Sequence, residues 1–496
     1  MAEGLWDECG ESYRRLLGDS EYSYFPASQN NGVGDMFLHL AFRASVALIQ
    51  EDRVAIAWAV IRSRHPLLVS TVTIDAEHPN RAFFNFCPPG TKEDAISEAR
   101  KALTFTNQSE EELIHDYMNG PRTLSNDHLS TLVISTPRQA KNSSAQETTH
   151  YDLLMCAPHF AGDGSSLHQC SHELLALIAS QLPDAQLSEE IRFGAVSWKD
   201  VLPPALETRL PVPQSPLAKA ASKINYAQTL RKEVGGHVFA RSQRGPQRTI
   251  SVEKAFTEAE TASILRNCKS QQVTINHALF VLCNFAWNSC NNLHHSEGSR
   301  LPLMMYTAIN LRPYLSPHAA STYWFLALTY FNIVLPSFLP QDNYNKVFWH
   351  RARSVKAQTR KAVVSPFLTA RALEGARTRA SRARGISVSV PGMDVIENKS
   401  ESSSEALTEP APSLALMGLS LIGNLDVTYA REEYPSIELL SVRTASRQKP
   451  GGLLLLEHTF GKKLWLQLFW DEKGFKEGQI EKFWECLQNT VHGFLI

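Results

Sequence analysis

The stretch MCAPHFAGDG (residues 155–164) decides how the rest of the chain is interpreted. It contains a histidine followed at fixed offsets by an aspartate and a glycine, the pattern H-x-x-x-D-G. The short apolar segment from Tyr151 to Ala157 predicts a buried strand, and the apolar repeat every three or four residues from Ser165 to Ile178 predicts an amphipathic helix. His159 therefore lies between two rigid elements, at the open end of a strand, which is a position that suits chemistry.

His159 is a candidate general base. Imidazole titrates near neutral pH, so it can take a proton from an alcohol or an amine and later return it. The positive end of the following helix points back at this turn, so we expect it to disfavour imidazolium and to keep the base unprotonated. Asp163 is expected to pair with a cation and fix the loop, and Gly164 to supply permissive backbone where the loop turns into the helix.

A plain structural interpretation of the same motif stays open. Asp163 can be an ordinary N-cap residue, glycine is common at such a boundary, and His159 can be a hydrogen-bonded structural histidine. The motif alone does not separate this alternative from catalysis, so other parts of the chain have to decide.

Four further segments accompany the motif in a fixed order. They are RHPLL at 64–68, VTINHA at 273–278, NLRP at 310–313 and SLIGNLD at 420–426. With these segments the chain resembles, over nearly its whole length, the CoA-dependent acyltransferase superfamily, which includes chloramphenicol acetyltransferase, plant BAHD acyltransferases, fungal alcohol acetyltransferases and the condensation domains of peptide synthetases. It looks closest to fungal trichothecene-type O-acetyltransferases. The chain departs from the plant BAHD branch because it has no D-F-G-W-G signature.

The resemblance implies an α/β fold with two chloramphenicol-acetyltransferase-like lobes, each a mixed sheet covered by helices, and an active-site channel between them. We place the lobes at residues 1–182 and 226–496. Residues 183–225 are expected to form a crossover linker, because six prolines fall within residues 182–222 with little periodicity. Trp198 is the expected anchor of this linker to a lobe.

The resemblance also implies acyl transfer from acyl-CoA, a co-substrate rather than a bound cofactor, to a hydroxyl of a small secondary metabolite, with the motif histidine as base and no acyl-enzyme. It implies that Arg312 pairs with Asp163; the alternative is a surface residue in the turn before Pro313. Ser420 or Asn424 would donate to the oxyanion, unless both belong to a turn. A condensation reaction with a carrier-protein-bound thioester, and a non-catalytic scaffold with the same fold, stay as alternatives.

Composition limits the partners. The chain has 496 residues, 43% hydrophobic and 20% charged, with a net charge of -1, which gives no electrostatic reason to expect binding to nucleic acid or to an acidic membrane. Its eight cysteines form no C-x-x-C pair and no zinc spacing, so we expect no metal and reduced, intracellular thiols. The acidic N-terminus lacks an apolar core, which predicts no signal peptide and a cytoplasmic protein, here expected as a monomer.

Local patterns predict the remaining elements. Helices are predicted at 52–62, 258–269, 275–287 and 477–495, and strands at 36–50, 69–74, 132–136, 250–256, 303–309, 436–443, 453–459 and 463–470. The apolar stretch Tyr323–Leu339 is expected to be a helix end followed by a buried strand, not a membrane span. Residues 351–384 are rich in arginine and lysine and could meet the phosphates of coenzyme A, although a solvated helix face is the more ordinary explanation. Residues 139–149 and 396–412 are expected to be loops, and His65 a helix cap.

Overall fold

A computed structural model describes residues 4–137, 148–194, 197–213, 215–231, 236–291, 301–317, 321–340, 342–386 and 415–496. The predicted loop at 396–412 and residues 139–147 of the other predicted loop lie outside these ranges.

The described residues form strands in three sheets. The strands are β1 Asp7–Cys9, β2 Ser12–Leu16, β3 Asp35–Ser45, β4 Thr71–Ile74, β5 Ala82–Phe86, β6 Leu103–Thr106, β7 Thr131–Ser135, β8 Thr148–Pro158, β9 Thr249–Ala255, β10 Pro302–Asn310, β11 Leu328–Pro336, β12 Met417–Asn424, β13 Glu438–Ser446, β14 Leu453–Phe460 and β15 Lys463–Asp471. The helices are α1 Asp19–Tyr22, α2 Phe25–Asn31, α3 Glu51–Arg64, α4 Lys92–Lys101, α5 Glu110–Asn119, α6 Gly164–Ala179, α7 Asp184–Leu187, α8 Leu206–Arg209, α9 Pro216–Arg231, α10 Glu258–Ser270, α11 Ile275–Asn291, α12 Tyr344–Val363, α13 Leu368–Ala383 and α14 Gln479–Leu495.

The first sheet has the strand order β13-β3-β8-β7-β6. Its centre is the antiparallel pair β3 and β8, which stays in register from Ser45 opposite Thr148 to Asp35 opposite Pro158. Both strands are buried over most of their length, because helices α3 and α6 cover one face and the second sheet packs on the other. Since β8 ends at Pro158, the loop that carries His159 begins at the C-terminal end of this central strand.

The second sheet has the order β11-β10-β12-β14-β15-β9. Its strands β10, β12 and β14 are parallel, so their C-terminal ends lie at one edge of the sheet. Helices α10, α11, α12 and α14 cover the outer face around a second apolar core. A third, small sheet with the order β1-β2-β5-β4 lies beside the first.

Strand β13 joins the two predicted lobes. It belongs to the range 226–496, but it pairs with β3 of the other range along its whole length. Its Val442 is fully buried in the core of the first sheet, where Leu311 and Trp324 of the second range also pack. The first core is therefore built from both parts of the chain, and a division at residue 225 separates two paired strands of one sheet.

The crossover region is partly helical. Helix α9 extends across the predicted end of the linker and packs against α13. The sequence did not predict a helix at residues 216–225. The low periodicity is real, since α9 buries only Ser222 and has no apolar face to mark it. The predicted anchor is confirmed, since Trp198 is only 2% exposed and its ring centroid lies 4.9 Å from that of Phe86.

The predicted helix end within Tyr323–Leu339 is wrong. Residues 321–327 have no regular secondary structure, and β11 follows them. The apolar side chains of Trp324 and Phe325 are buried in the first core, which explains the composition that suggested a helix. The other predicted helices and strands are confirmed to within a few residues, except that the strand predicted at 36–50 ends at Ser45. None of the helices in the described ranges is long and apolar enough to cross a membrane.

The shared first sheet predicts that residues 1–182 do not fold alone, because β3 loses its neighbour β13 and the core loses Val442, Leu311 and Trp324. The purified fragment should show no cooperative thermal unfolding and weak near-ultraviolet circular dichroism, whereas the full chain should show both. Co-expression with residues 183–496 should restore the native signal. A cooperative transition in the isolated fragment would contradict the shared core.

Candidate active site

His159 lies directly after β8 and five residues before the first residue of α6. Its backbone N–H donates to the carbonyl of Gly34 at 3.2 Å. Its ring nitrogen Nδ1 lies 3.0 Å from the carbonyl oxygen of Gly162. Because a carbonyl oxygen only accepts, this contact requires the proton on Nδ1 and leaves the lone pair on Nε2 when the ring is neutral. Nε2 makes no hydrogen bond with the described residues and is not sealed from solvent.

Tyr24 covers one face of the imidazole. The two rings are stacked, with centroids 4.5 Å apart and planes inclined by 22°. The hydroxyl of Tyr24 contacts the hydroxyl of Tyr330 on β11 of the second sheet. The ring of Tyr330 in turn lies 6.0 Å from that of Tyr306 on β10. Tyrosines therefore extend from His159 across the second sheet, and none of them was identified from the sequence.

Burial of the ring lowers the pKa of His159 below 6.5, while the negative charge of Asp163 and the hydrogen bond to Gly162 act in the opposite direction. The imidazole is therefore predominantly neutral at pH 7. The direction agrees with the expectation from the sequence, but burial, rather than the positive end of α6, is the largest cause.

Asp163 is fully buried, and both carboxylate oxygens are hydrogen-bonded. Oδ1 accepts from the backbone N–H of Ser166 at 3.0 Å, which caps α6. Oδ2 accepts from Arg312 Nη1 and from the backbone N–H of Ala327, both at 2.9 Å. The N-cap role and the cation pairing, which the sequence left as alternatives, are therefore both present in one side chain.

Arg312 follows β10 and binds several groups besides Asp163. Its Nη2 donates to the hydroxyl of Ser166 at 2.7 Å and to the carbonyl oxygens of Tyr323 and Phe325 at 3.2 and 2.7 Å. The guanidinium also lies over the ring of Phe325, 4.8 Å from its centroid. The alternative of a free surface arginine is therefore wrong, and the ion pair links the N-terminus of α6 to the segment before β11.

Gly164 and Gly162 differ in how much space a side chain would have. Gly164 is the first residue of α6, has no positive φ, and an added Cβ would meet nothing within 4 Å. The prediction that Gly164 is needed for its backbone freedom is therefore wrong. Its lack of a side chain leaves open space at the start of α6. A Cβ on Gly162 would lie 3.0 Å from the indole of Trp324, so the close packing at that position favours glycine.

Ser420 and Asn424 lie on β12. The neighbour Leu419 packs into the outer core, and side chains alternate along a strand, so Ser420 points to the face of the sheet turned towards the first lobe. Asn424 is exposed, and its amide oxygen accepts from the backbone N–H of Asp426 at 3.1 Å. The turn alternative therefore describes Asn424, whereas an oxyanion role for Ser420 stays a prediction.

The basic residues of 351–384 do not form one patch. Several have local partners: Arg351 is buried against α11, Arg377 pairs with Glu374, and Arg384 pairs with Asp19. Arg379 instead lies over the ring of Tyr330, 5.2 Å from its centroid, so one of these cations faces the tyrosines beside His159.

His65 ends α3 and is buried. Its Nδ1 lies 2.8 Å from Thr322 Oγ1, and its Nε2 lies 3.3 Å from Glu173 of α6. The predicted cap position is confirmed, and the side chain ties the first lobe to the segment before β11.

A groove of about 850 Å³ lies elsewhere, between β11 and the start of α12. Leu335, Phe338 and Trp349 line it together with basic side chains. It opens on the helix-covered side of the second sheet and does not include His159.

His39, Glu110 and Asp152 are close enough to suggest a metal site, with ligand atoms within 4.8 Å of one another. His39 Nε2 lies 2.8 Å from Asp152, His39 Nδ1 lies 3.5 Å from Glu110, and Glu110 accepts from Arg443 at 2.9 Å. Arg443 also pairs with Glu253 on β9 at 3.0 Å. The cluster is therefore an ion network between the two sheets.

No family model and no curated protein matches the sequence. Solved structures share the fold over nearly the whole chain. The trichothecene 15-O-acetyltransferase TRI3 from Fusarium sporotrichioides aligns over 100% of this chain and 99% of its own, with a TM-score of 0.79 at 14% identity. The condensation domain of the monacolin K polyketide synthase MokA aligns over 96% of each chain with a TM-score of 0.62, and the epimerization domain of tyrocidine synthetase B over 99% and 98% with 0.58, both at 12% identity. The predicted α/β fold of acyltransferases and condensation domains is therefore confirmed.

Replacing Arg312 by alanine should lower the free energy of unfolding by about 3 kcal/mol, because the buried Asp163 carboxylate loses its cation. Denaturant unfolding of the full chain measures this change. The matched control is Arg43→Ala, which removes an exposed pair with Glu438 at 3.4 Å and should change the free energy by less than about 1 kcal/mol. Equal effects of the two substitutions would contradict the assigned role of Arg312.

Proposed function

We propose that the protein transfers an acyl group from acyl-CoA to a hydroxyl of a small molecule, with Nε2 of His159 as the general base. The observation that carries the proposal is the contact between His159 Nδ1 and the Gly162 carbonyl. It leaves the basic nitrogen on the unbonded side of a partly exposed ring, just past the end of β8, where Tyr24 connects the ring to Tyr330 of the second sheet. The full-length fold likeness to an O-acetyltransferase supports the same reaction class.

In the proposed reaction, Nε2 takes the proton of the acceptor hydroxyl while the hydroxyl oxygen forms a bond to the thioester carbonyl carbon. The tetrahedral intermediate collapses by breaking the carbon–sulfur bond, and the imidazolium returns the proton to the departing thiolate sulfur. The products are the ester and free CoA. No acyl-enzyme is needed, because both substrates meet at one base.

Ser420 is the candidate donor to the oxyanion of that intermediate. Its position on the inner face of β12 supports this role, and a hydroxyl aimed at developing charge stabilises a transition state. Asn424 is a weaker candidate because its amide oxygen is engaged in the turn that follows β12.

A second candidate is transfer from a thioester carried by another protein. The full-length likeness to condensation and epimerization domains favours it, but their TM-scores of 0.62 and 0.58 are lower than the 0.79 for the acetyltransferase. Incubation with free acetyl-CoA, longer acyl-CoAs and an acyl-loaded carrier protein separates the two. Product only from the loaded carrier would select the second candidate.

His159→Gln should lower turnover by about 10²- to 10⁴-fold, because the substitution removes the proton acceptor and keeps a side chain of similar size. Free thiol release from acetyl-CoA and mass spectrometry of a panel of hydroxylated acceptors measure the reaction. The matched control is His150→Gln at the other end of β8, where the ring contacts Asp152 at 3.4 Å. Turnover like that of the wild type in folded His159→Gln would refute the base.

The pH dependence follows from the lowered pKa of His159. Acid protonates Nε2 and removes the base, so kcat/KM should fall as pH decreases, with a midpoint below 6.5, and should be level from about pH 7 to 8. A profile of kcat/KM against pH measures this limb. An acid limb centred above pH 7 would contradict a base whose charged form is disfavoured by burial.

A further inference from the structure

Trp324 lies against the loop that carries His159. The residue is fully buried. Its indole atoms Cε2 and Nε1 lie 3.0 and 3.1 Å from the position that a Cβ of Gly162 would occupy. Contacts this close are tighter than nine in ten real Cβ contacts, so a side chain at residue 162 would force the indole to shift by a few tenths of an ångström.

Gly162 is also the residue whose carbonyl accepts from His159 Nδ1 at 3.0 Å. The tautomer of the imidazole therefore depends on where this one peptide lies. The indole of Trp324, from the second part of the chain, packs against Gly162 itself, beside the peptide that carries this carbonyl.

The backbone around Trp324 is itself fixed on both sides. Its N–H donates to Thr322 Oγ1 at 3.1 Å, and that hydroxyl is bonded to His65 at 2.8 Å. The carbonyls of Tyr323 and Phe325 accept from Arg312. The guanidinium that holds Asp163 thus also holds the two residues that flank Trp324.

We propose that Trp324 is a positioning residue that presses the Gly162 peptide against His159 and so selects the tautomer with the proton on Nδ1. The proposal deepens the proposed function and rests on it for the use made of the free Nε2. The positioning itself is independent of any substrate.

The test is nitrogen NMR of the full chain labelled with ¹⁵N-histidine, in which His159→Gln identifies the His159 signals among the 17 histidines. In the wild type at pH 8, Nε2 should give the signal of an unprotonated ring nitrogen. In Trp324→Leu, the tautomer with the proton on Nε2 should rise to at least a third of the population, and turnover should fall about tenfold through kcat rather than KM.

The matched control is Trp198→Leu, which removes another buried tryptophan that packs on Phe86. It should leave the His159 signals unchanged. Gly162→Ala should shift them as Trp324→Leu does, and the double variant should show no more than the larger single effect, because both substitutions break the same contact. If Trp324→Leu does not give a cooperative unfolding transition, Trp324→Phe replaces it in every comparison.

A wild-type tautomer in the folded Trp324 variant would overturn the proposal, and so would an equal shift in Trp198→Leu. Neither result depends on turnover, so a failure of the positioning role is distinguishable from a failure of the acyl-transfer proposal.

Discussion

The ion pair between Asp163 and Arg312 is the interaction on which the rest of the site depends. The Asp163 carboxylate is fully buried and accepts from the backbone N–H of Ser166 in the first turn of α6, from the Arg312 guanidinium and from the backbone N–H of Ala327 just before β11. A buried carboxylate that loses its partner destabilises the fold strongly, so the second lobe must stay docked on the N-terminus of α6. The turn that carries His159 is thereby held by residues from both parts of the chain.

Two contacts next to this ion pair orient the imidazole of His159. The Gly162 carbonyl fixes the proton on Nδ1, and stacking on Tyr24 limits rotation of the ring. Burial lowers the pKa of His159, whereas the nearby carboxylate raises it. A helix N-terminus contributes typically about 0.3–1 kcal/mol, and burial of a charged imidazole can contribute more, so the ring stays neutral mainly because most of it is buried.

Much of the fold could be predicted because its signals are local. The strand before His159, the helix after it and the hairpin of β14 and β15 each follow from short apolar patterns, and they were found within a few residues. The pairing of β13 with β3 could not be found, because about 400 residues separate the partners and no local pattern specifies the register. Helix α9 was missed because it is largely exposed and has no apolar period.

The residues of the candidate site also fall into two groups, those with a local sequence signal and those without one. His159, Asp163 and Arg312 were found from short motifs, and the ion pair between the last two is present. Tyr24, Gly162 and Trp324 were missed, because their importance lies in contacts across the fold rather than in a local pattern. The prediction that Gly164 supplies backbone freedom is wrong, since it has no positive φ and a Cβ there would meet nothing within 4 Å.

The most direct measurement of the central claim is a crystal structure of the protein with bound coenzyme A. The account predicts that the thiol sulfur lies within hydrogen-bonding reach of His159 Nε2, with the pantetheine arm between the two sheets. Coenzyme A with its thiol elsewhere, for example in the groove between β11 and α12, would contradict it.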